Sequence, residues 1–411
     1  MSTPERSAVD LYVGPDALAL DVWESYSVKL SMLEVGLPFS FVFAFSEQGR
    51  SSWALLATTA ARVKCGHLVT FALDGDAVLS GLIDTIEPGD SGFDRGEPTL
   101  TLSGRDALGP AVSGDADPAL TLRGRQLGDA IAAVYQGVEI TPDIGESVDP
   151  RALVGRLHRA PATRTATAGV AHRRASRTAT VLASHPRIGE RAHQVVERMC
   201  RQLGYRVWTT PVEGSGRTGV IVDRPRSGGA PSHTLLRELD ASGRVTERSQ
   251  IRYGKERTSI AGIPTTVTVL GARQRGDHAA ENLARESTNG FLLTEAALQR
   301  VVVDPPRQPR YVQSRDATTG AGAQNEAARL CAQANERFRV YECGVLGHRL
   351  DGRLLLPNQI VLLTDDAVGI AAERWQIVEV EYAGARTTDQ RTKVTLLPEG
   401  ALSVIPEPAD P

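Results

Sequence analysis

The first hundred residues alternate. In VKLSMLEVGLPFSFVFAF, Val28 to Phe45, and in GHLVTFALDGDAVLSGLIDTIEPGD, Gly66 to Asp90, apolar and polar residues take turns around Asp-Gly and Pro-Gly pairs. That period of two marks strands that bury one face, and the Gly-containing pairs mark the turns between them. Asp74-Gly75 suits a two-residue hairpin, with Leu68, Thr70, Ala72, Val78 and Leu82 alternating across it. The next strand, EPTLTLSGRDALGP from Glu97 to Pro110, alternates and then stops at Ser-Gly-Arg-Asp. These segments predict an antiparallel β domain ending near Pro110.

A different period follows. Leu127, Ala130, Ile131, Val134 and Tyr135 form one stripe of a short helix. In HPRIGERAHQVVERMCRQLGYRVWTT, Ile188, Ala192, Val195, Val196, Met199 and Leu203 share a helical face, Gly204 can end the helix, and Tyr205 to Thr209 reads as a strand. Strands return from Arg252 onward, in TTVTVLG, RFRVYECGVLG, NQIVLLTDD, RWQIVEVEYAG and RTKVTLLPEGAL. One helix interrupts them, Ala323 to Arg337, with Ala327, Leu330, Cys331, Ala334 and Phe338 on its apolar side. The expectation is a β-rich α+β multidomain chain: an N-terminal β domain (1–112), a small α/β region (113–226), a connecting segment (227–262), a C-terminal β domain with one helix (263–403) and a tail (404–411).

Composition narrows the classes. At 411 residues the chain exceeds one hydrophobic core, and a net charge of −3 gives no overall pull toward nucleic acid or an anionic membrane. Cys65, Cys200, Cys331 and Cys343 lie far apart with no C-x-x-C pair, which suits reduced thiols rather than zinc or a disulfide framework. Glu5 and Arg6 stand where a secretory signal needs an apolar run, and no segment reaches the roughly 18 apolar residues of a membrane span. The chain is expected to be made and folded in a cytoplasm, without membrane insertion.

Candidate chemistry is sparse, and each instance has a structural reading beside the functional one. GSGRTG, Gly214 to Gly219, matches G-x-G-x-x-G but lies between two strand-like runs with no helix to bind a pyrophosphate, so it reads as a hairpin turn. His193 and Glu197 have i, i+4 spacing but no further His or Cys at ligand spacing, so they read as a solvated helix face. Asp365-Asp366 reads as a turn rather than as a glycosidase carboxylate pair. Gly-x-Ser-x-Gly, H-E-x-x-H and P-loop motifs are missing from the sequence. No enzyme, cofactor or metal is expected. Gly104-Arg105-Asp106 reads as a structural corner: Gly104 for a backbone conformation other residues avoid, Arg105 for clamping a carbonyl or carboxylate, Asp106 for capping the turn.

The order of several weak signatures is more telling than any one of them. Gly81-Leu82-Ile83-Asp84 lies on a strand, followed by Gly104-Arg105-Asp106, then by Leu122-Arg123-Gly124 before a helix. Ile188-Gly189-Glu190 follows Pro186 before a second helix, and the C-terminal passage holds Asp351-Gly352, Leu354, Pro357-Asn358, Val361, Asp365 and Gly369-Ile370. In this order the chain resembles the Mu-type baseplate hub proteins of contractile phage tails, over most of its length. The resemblance implies two tube-like antiparallel β-barrel domains per chain. It also implies a homotrimer that adapts a sixfold tail tube to a threefold spike, with the spike, the tube or a tube-initiator protein and the tape-measure protein as partners. DNA would only pass through, and the place would be the tail baseplate of a virion or injection particle assembled in the bacterial host cytoplasm. The rival classes are a tail-tip cell-wall hydrolase and the hub part of a type VI-like secretion spike.

Arg151 to Arg187 has no counterpart in that pattern. It carries Arg151, Arg156, Arg159, Arg164, Arg173, Arg174, Arg177 and Arg187 with no Asp or Glu, and shows no lasting period. Alone it is predicted to be disordered. Arg173, Arg174 and Arg177 are the candidate partner contacts, toward protein carboxylates or toward phosphate; an inert solvated insertion is the third reading.

Overall fold

The computed structural model describes residues 7–14, 18–20, 23–47, 50–51, 53–90, 98–136, 140–144, 153–159, 185–202, 205–212, 217–223, 225, 228–271, 284–288, 308–314, 320–386 and 388–402. The N-terminal half builds Val9–Val13 (β1), Leu18–Leu20 (β2), Trp23–Ser31 (β3), Pro38–Ala44 (β4), the short Ser46–Glu47 (β5) and Arg50–Ser51 (β6), helix Trp53–Arg62 (α1), then Leu68–Leu73 (β7), Asp76–Asp90 (β8) and Pro98–Asp106 (β9). The middle holds Gly109–Ser113 (α2), Leu127–Gln136 (α3), Ile140–Ile144 (β10), Leu153–Arg159 (β11), Ala192–Gln202 (α4), Arg206–Val212 (β12) and Arg217–Asp223 (β13). The C-terminal half holds His233–Arg237 (β14), Ile251–Thr258 (β15), Thr266–Gly271 (β16), Ala284–Thr288 (β17), Pro309–Ser314 (β18), Gly320–Asn335 (α5), Arg339–Leu346 (β19), Arg349–Leu350 (β20), Arg353–Leu354 (β21), Ile360–Asp365 (β22), Ile370–Ala385 (β23) and Thr388–Pro398 (β24).

The two β halves are one sheet. Its 13 strands run β15-β19-β24-β23-β3-β4-β9-β8-β7-β1-β2, with β22 and β14 attached beside β23. All its pairs are antiparallel except β14 with β22. The seam is β3 against β23, registered Val28 to Tyr382 and Lys29 to Glu381. β14 and β15 fall in 227–262, the segment read as connecting, and both belong to this sheet.

Alternation explains the interior. β9 alternates buried and half-buried along its whole length. Tyr26, Val28 and Leu30 of β3, Phe39, Phe41 and Phe43 of β4, and Val69, Phe71 and Leu73 of β7 pack into one core with Tyr341, Val361, Trp375, Tyr382 and Leu396 from the other half. Each such fully buried side chain contributes about 1.5–3 kcal/mol. In the β7–β8 hairpin, Asp74 and Gly75 both take positive φ, 54° and 81°, as a tight turn with the twist of its strands requires.

The middle region is a four-stranded sheet, β10-β11-β13-β12, under α3 and α4. The α3 stripe Leu127, Ala130, Ile131, Val134 and Tyr135 is buried there beside Val195, Val196 and Met199 of α4. Ile188 does not join them. It is 94% exposed, because Gly189 (φ 77°) makes a turn in which Glu190 accepts the Arg187 N–H at 2.9 Å, so the helix starts only at Ala192. Leu203 and Gly204 lie outside the described residues. The Arg-rich segment is not unstructured throughout: Leu153–Arg159 is strand β11, held by ladders to β10 and β13 that no local period reveals. Arg173, Arg174 and Arg177 lie outside the described residues. Trp208 of β12 docks this region beneath the seam, against Met32, Val378, Leu397 and Leu402.

A smaller sheet, β17-β16-β18, carries α5, whose Ala323, Ala327, Leu330 and Cys331 cover Val267 and Val269. Phe338 is buried just beyond the end of α5.

Candidate functional site

Gly104 occupies a crowded crossing. A Cβ there would lie 2.0 Å from the Leu82 carbonyl oxygen and 2.7 Å from Phe39 Cζ, and one on Gly81 would lie 2.7 Å from the same ring. The Phe39 ring therefore rests on two glycines inside the core of the large sheet. Gly104 is not among the positive-φ residues, so close approach rather than an unusual backbone angle excludes a side chain. Gly104→Ala is expected to push the ring off and part β8 from β9, costing about 3 kcal/mol. Gly89→Ala, whose nearest neighbour would be 3.9 Å away, should leave the thermal midpoint almost unchanged, and equal melting of the two variants would contradict this account.

The next two side chains point opposite ways. Arg105 faces outward, its Nε 2.7 Å and Nη2 3.3 Å from the Asp84 carboxylate, and its Nη1 reaches Ser113 Oγ at 2.5 Å and Gly109 O at 3.4 Å. It ties β8 to the helix that follows the corner. Asp106 faces inward and is fully buried, accepting the Leu108 N–H at 2.9 Å and the Thr209 hydroxyl at 3.1 Å. Asp106 is thus where the N-terminal strands meet β12 of the middle region. Burial pushes the Asp106 carboxyl up to about 6, against the backbone and Thr209 hydrogen bonds that favour its charge.

The C-terminal barrel has its own closure. β14 and β15 share no ladder, and the gap between them is stitched by side chains. Arg237, at the end of β14, forks onto Asp365 at the end of β22 with Nε to Oδ1 at 2.7 Å and Nη2 to Oδ2 at 2.6 Å. The same Nη2 reaches the Gly254 carbonyl on β15 at 3.4 Å, and Tyr341 of β19 donates its hydroxyl to Asp365. A Cβ on Gly254 would lie 2.0 Å from that hydroxyl, so the strand passes the cluster only as glycine. Asp365 Oδ1 also takes the Ala367 N–H at 3.0 Å, the turn its sequence context calls for, while Asp366 takes the Leu239 N–H at 3.1 Å. Asp365 is buried and paired and Asp366 is exposed, so the two carboxylates do not flank a cleft.

Between the halves lies His348, fully buried. Its Nε2 is 2.7 Å from the Tyr26 hydroxyl and its Nδ1 2.9 Å from Thr392 Oγ, which donates to Gly347 O at 2.6 Å. Because Thr392 spends its proton on Gly347, Nδ1–H donates to Thr392 and Nε2 accepts from Tyr26. Burial holds the imidazole down at about 4. Neutral His348 contributes stability that is present above its ordinary 6.5 and lost as the pH falls toward 4. Asp106 acts with the opposite sign, since its raised value means stability is gained as the pH falls from about 6 toward its ordinary 3.8. Asp106→Asn should therefore steepen the loss of thermal stability between pH 6.5 and 4, and His348→Gln should flatten or reverse it. Identical slopes in wild type and both variants would overturn the assignment.

His193 and Glu197 of α4 line a cavity of about 110 Å³ with Cys200, Arg206 and Glu336. His193 Nδ1 is 3.4 Å from the Tyr135 hydroxyl, and Arg206 pairs with Glu336 at 2.5 Å. Among the described residues no cluster of three or more His, Cys, Asp or Glu could hold a metal ion. Arg217 to Gly219 of GSGRTG belong to strand β13, and residues 214–216, on which the hairpin-turn reading falls, lie outside the described residues.

No family model matches the chain, and no curated protein matches it. Solved structures do. The chain is similar to the tail protein from Neisseria meningitidis MC58, with TM-score 0.68 and 19% identity over 98% of this chain and 100% of that one. It is similar to the 43 kDa tail protein of prophage MuSo2 from Shewanella oneidensis, with TM-score 0.65 and 16% identity over 96% and 99%. A type VI secretion component of E. coli, described as structurally similar to the T4 tail proteins gp27 and gp5, aligns with TM-score 0.50 and 10% identity over 99% of this chain and 78% of that one. The fold is therefore the β-rich, multidomain fold of these tail proteins.

Proposed function

We propose that this chain is a structural baseplate hub of a contractile phage tail or tail-like injection particle. One observation carries the reading: a single chain joins two antiparallel β halves into one sheet through the ladder of β3 with β23. Three copies then present six barrels to a sixfold tube and three equivalent faces to a spike, which a homotrimer with closed heterologous contacts provides. The function is geometric and uses no reacting atoms. Its partners are the spike, the tube or tube-initiator protein and the tape-measure protein, and its place is the baseplate. The likeness to a type VI component over 99% of this chain supports a second reading, the hub part of a secretion spike.

Gold-labelled antibody against the chain is expected to mark assembled particles only where tube meets spike. Labelling along the tube or sheath would overturn the hub reading. A zymogram of the pure protein on bacterial cell walls should stay blank, and a lytic band would favour the hydrolase.

A further inference from the structure

The N-terminal strands return to the C-terminal half at a place where no ladder runs. From the seam they continue in the order β3-β4-β9-β8-β7-β1, and the residues just before β1 meet β24, the strand behind β23. There the buried Gln390 holds the backbone of Ser7 with both ends of its carboxamide. The Ser7 N–H donates to Oε1 at 2.7 Å, and Nε2 donates to Ser7 O at 2.8 Å. Asp74, at the tip of the β7–β8 hairpin, does the same for Ala8: its Oδ1 takes the Ala8 N–H at 2.7 Å and its own N–H donates to Ala8 O at 2.9 Å. Arg349 of β20 then forks over that tip, with Nε 2.8 Å from Asp74 Oδ2 and Nη2 2.6 Å from Asp76 Oδ2 and 3.1 Å from Leu73 O. Its Nη1 stays with its own hairpin, on Gly352 O at 3.1 Å.

A carboxamide carries the same donor and acceptor as a peptide group, so Gln390 stands in for one rung of a ladder between residues 383 positions apart. Buried, it is tolerable only because both ends are bound, and Ser7, itself buried, depends on it in return. A ladder such as β3 with β23 fixes two strands along one line and leaves rotation about that line to contacts lying away from it. The apolar core shared by the halves is non-directional. The bonds at Ser7, Ala8 and the hairpin tip are directional, and they lie at β1 and β7, four and five strands beyond β3 in the sheet. We infer that the Ser7-Ala8 strap, held by Gln390 and by the Arg349 fork on the hairpin tip, is a second fastening that fixes the angle between the two β halves. The inference stands without the hub reading, which it neither uses nor tests.

The test is a distance between the halves in the full-length chain. Cys65→Ser removes the exposed native thiol, the other three cysteines being buried. Spin labels go on Ala57→Cys in α1 and Ala371→Cys in β23, both exposed sites. Double electron–electron resonance should then give one narrow distance. Gln390→Leu with Arg349→Met removes both carboxamide bonds and the fork, and should broaden the distribution about 1.5- to threefold. Arg349→Lys, which keeps the charge and loses the fork, should fall between. Arg374→Met breaks an ion pair with Glu399 inside the C-terminal half and should leave the width unchanged. If the double variant does not melt cooperatively, Gln390→Leu and Arg349→Met are measured singly, each with part of the broadening. Unchanged width and maximum in the folded double variant, or in both single variants, overturn the inference. Equal broadening by Arg374→Met also overturns it, since loosening would then follow the loss of any ion pair. The hub reading is judged by particle symmetry, so the two can fail independently.

Discussion

Asp365→Ala is expected to destabilise the protein by about 3–5 kcal/mol, because it strands the Arg237 guanidinium in the C-terminal barrel without its partner. Arg237 is only 8% exposed, and its remaining contact, the Gly254 carbonyl at 3.4 Å, cannot replace two charge-assisted bonds at 2.7 and 2.6 Å. The Tyr341 hydroxyl loses its acceptor in the same step. Asp366→Ala removes one exposed bond to the Leu239 N–H and should cost about 0.5–1.5 kcal/mol. Denaturant midpoints of the two variants separate the roles, and equal losses would mean that the buried fork does not close the barrel.

Trp208→Ala comes next in size, at about 3–5 kcal/mol, since it leaves a cavity where the middle region meets the ends of β3, β23 and β24. Calorimetry should show a middle region that melts ahead of the barrels. The indole Nε1 is buried with no hydrogen-bond partner, so Trp208→Phe removes an orphaned donor together with part of the ring. Its cost should stay within about 1.5 kcal/mol. A phenylalanine variant as damaged as the alanine one would show that the indole N–H has an essential partner.

Local pattern made the elements legible. A period of two in Val28 to Phe45 and Gly66 to Asp90 became β3, β4, β7 and β8, and the Leu127 to Tyr135 stripe became the buried face of α3. Pairing across the chain was not legible. Nothing near Ser27 says that it faces Ala383, and period two describes a seam strand and a strand within one barrel alike. Arg237 carries no local signal for the same reason: its partner Asp365 is 128 positions away, and an isolated Arg in a polar run looks like any solvated side chain. Arg105 reaches the Asp84 carboxylate and Asp106 accepts the Leu108 N–H, contacts that lie within 21 and 2 positions in the chain. The reason for Gly104 lies in the Phe39 ring and the Leu82 carbonyl, which only the folded sheet brings there. Ile188 matched the helical stripe by spacing, but the Gly189 turn takes it out of the helix.

The central claim is that two barrels joined in one chain serve to match a sixfold tube to a threefold spike. A cryo-electron microscopy reconstruction of the particle that incorporates this chain, processed without imposed symmetry, tests it most directly. Three copies around the axis, their six barrels forming one ring between tube and spike, is the result expected. Any other copy number, or a position away from that junction, would contradict it.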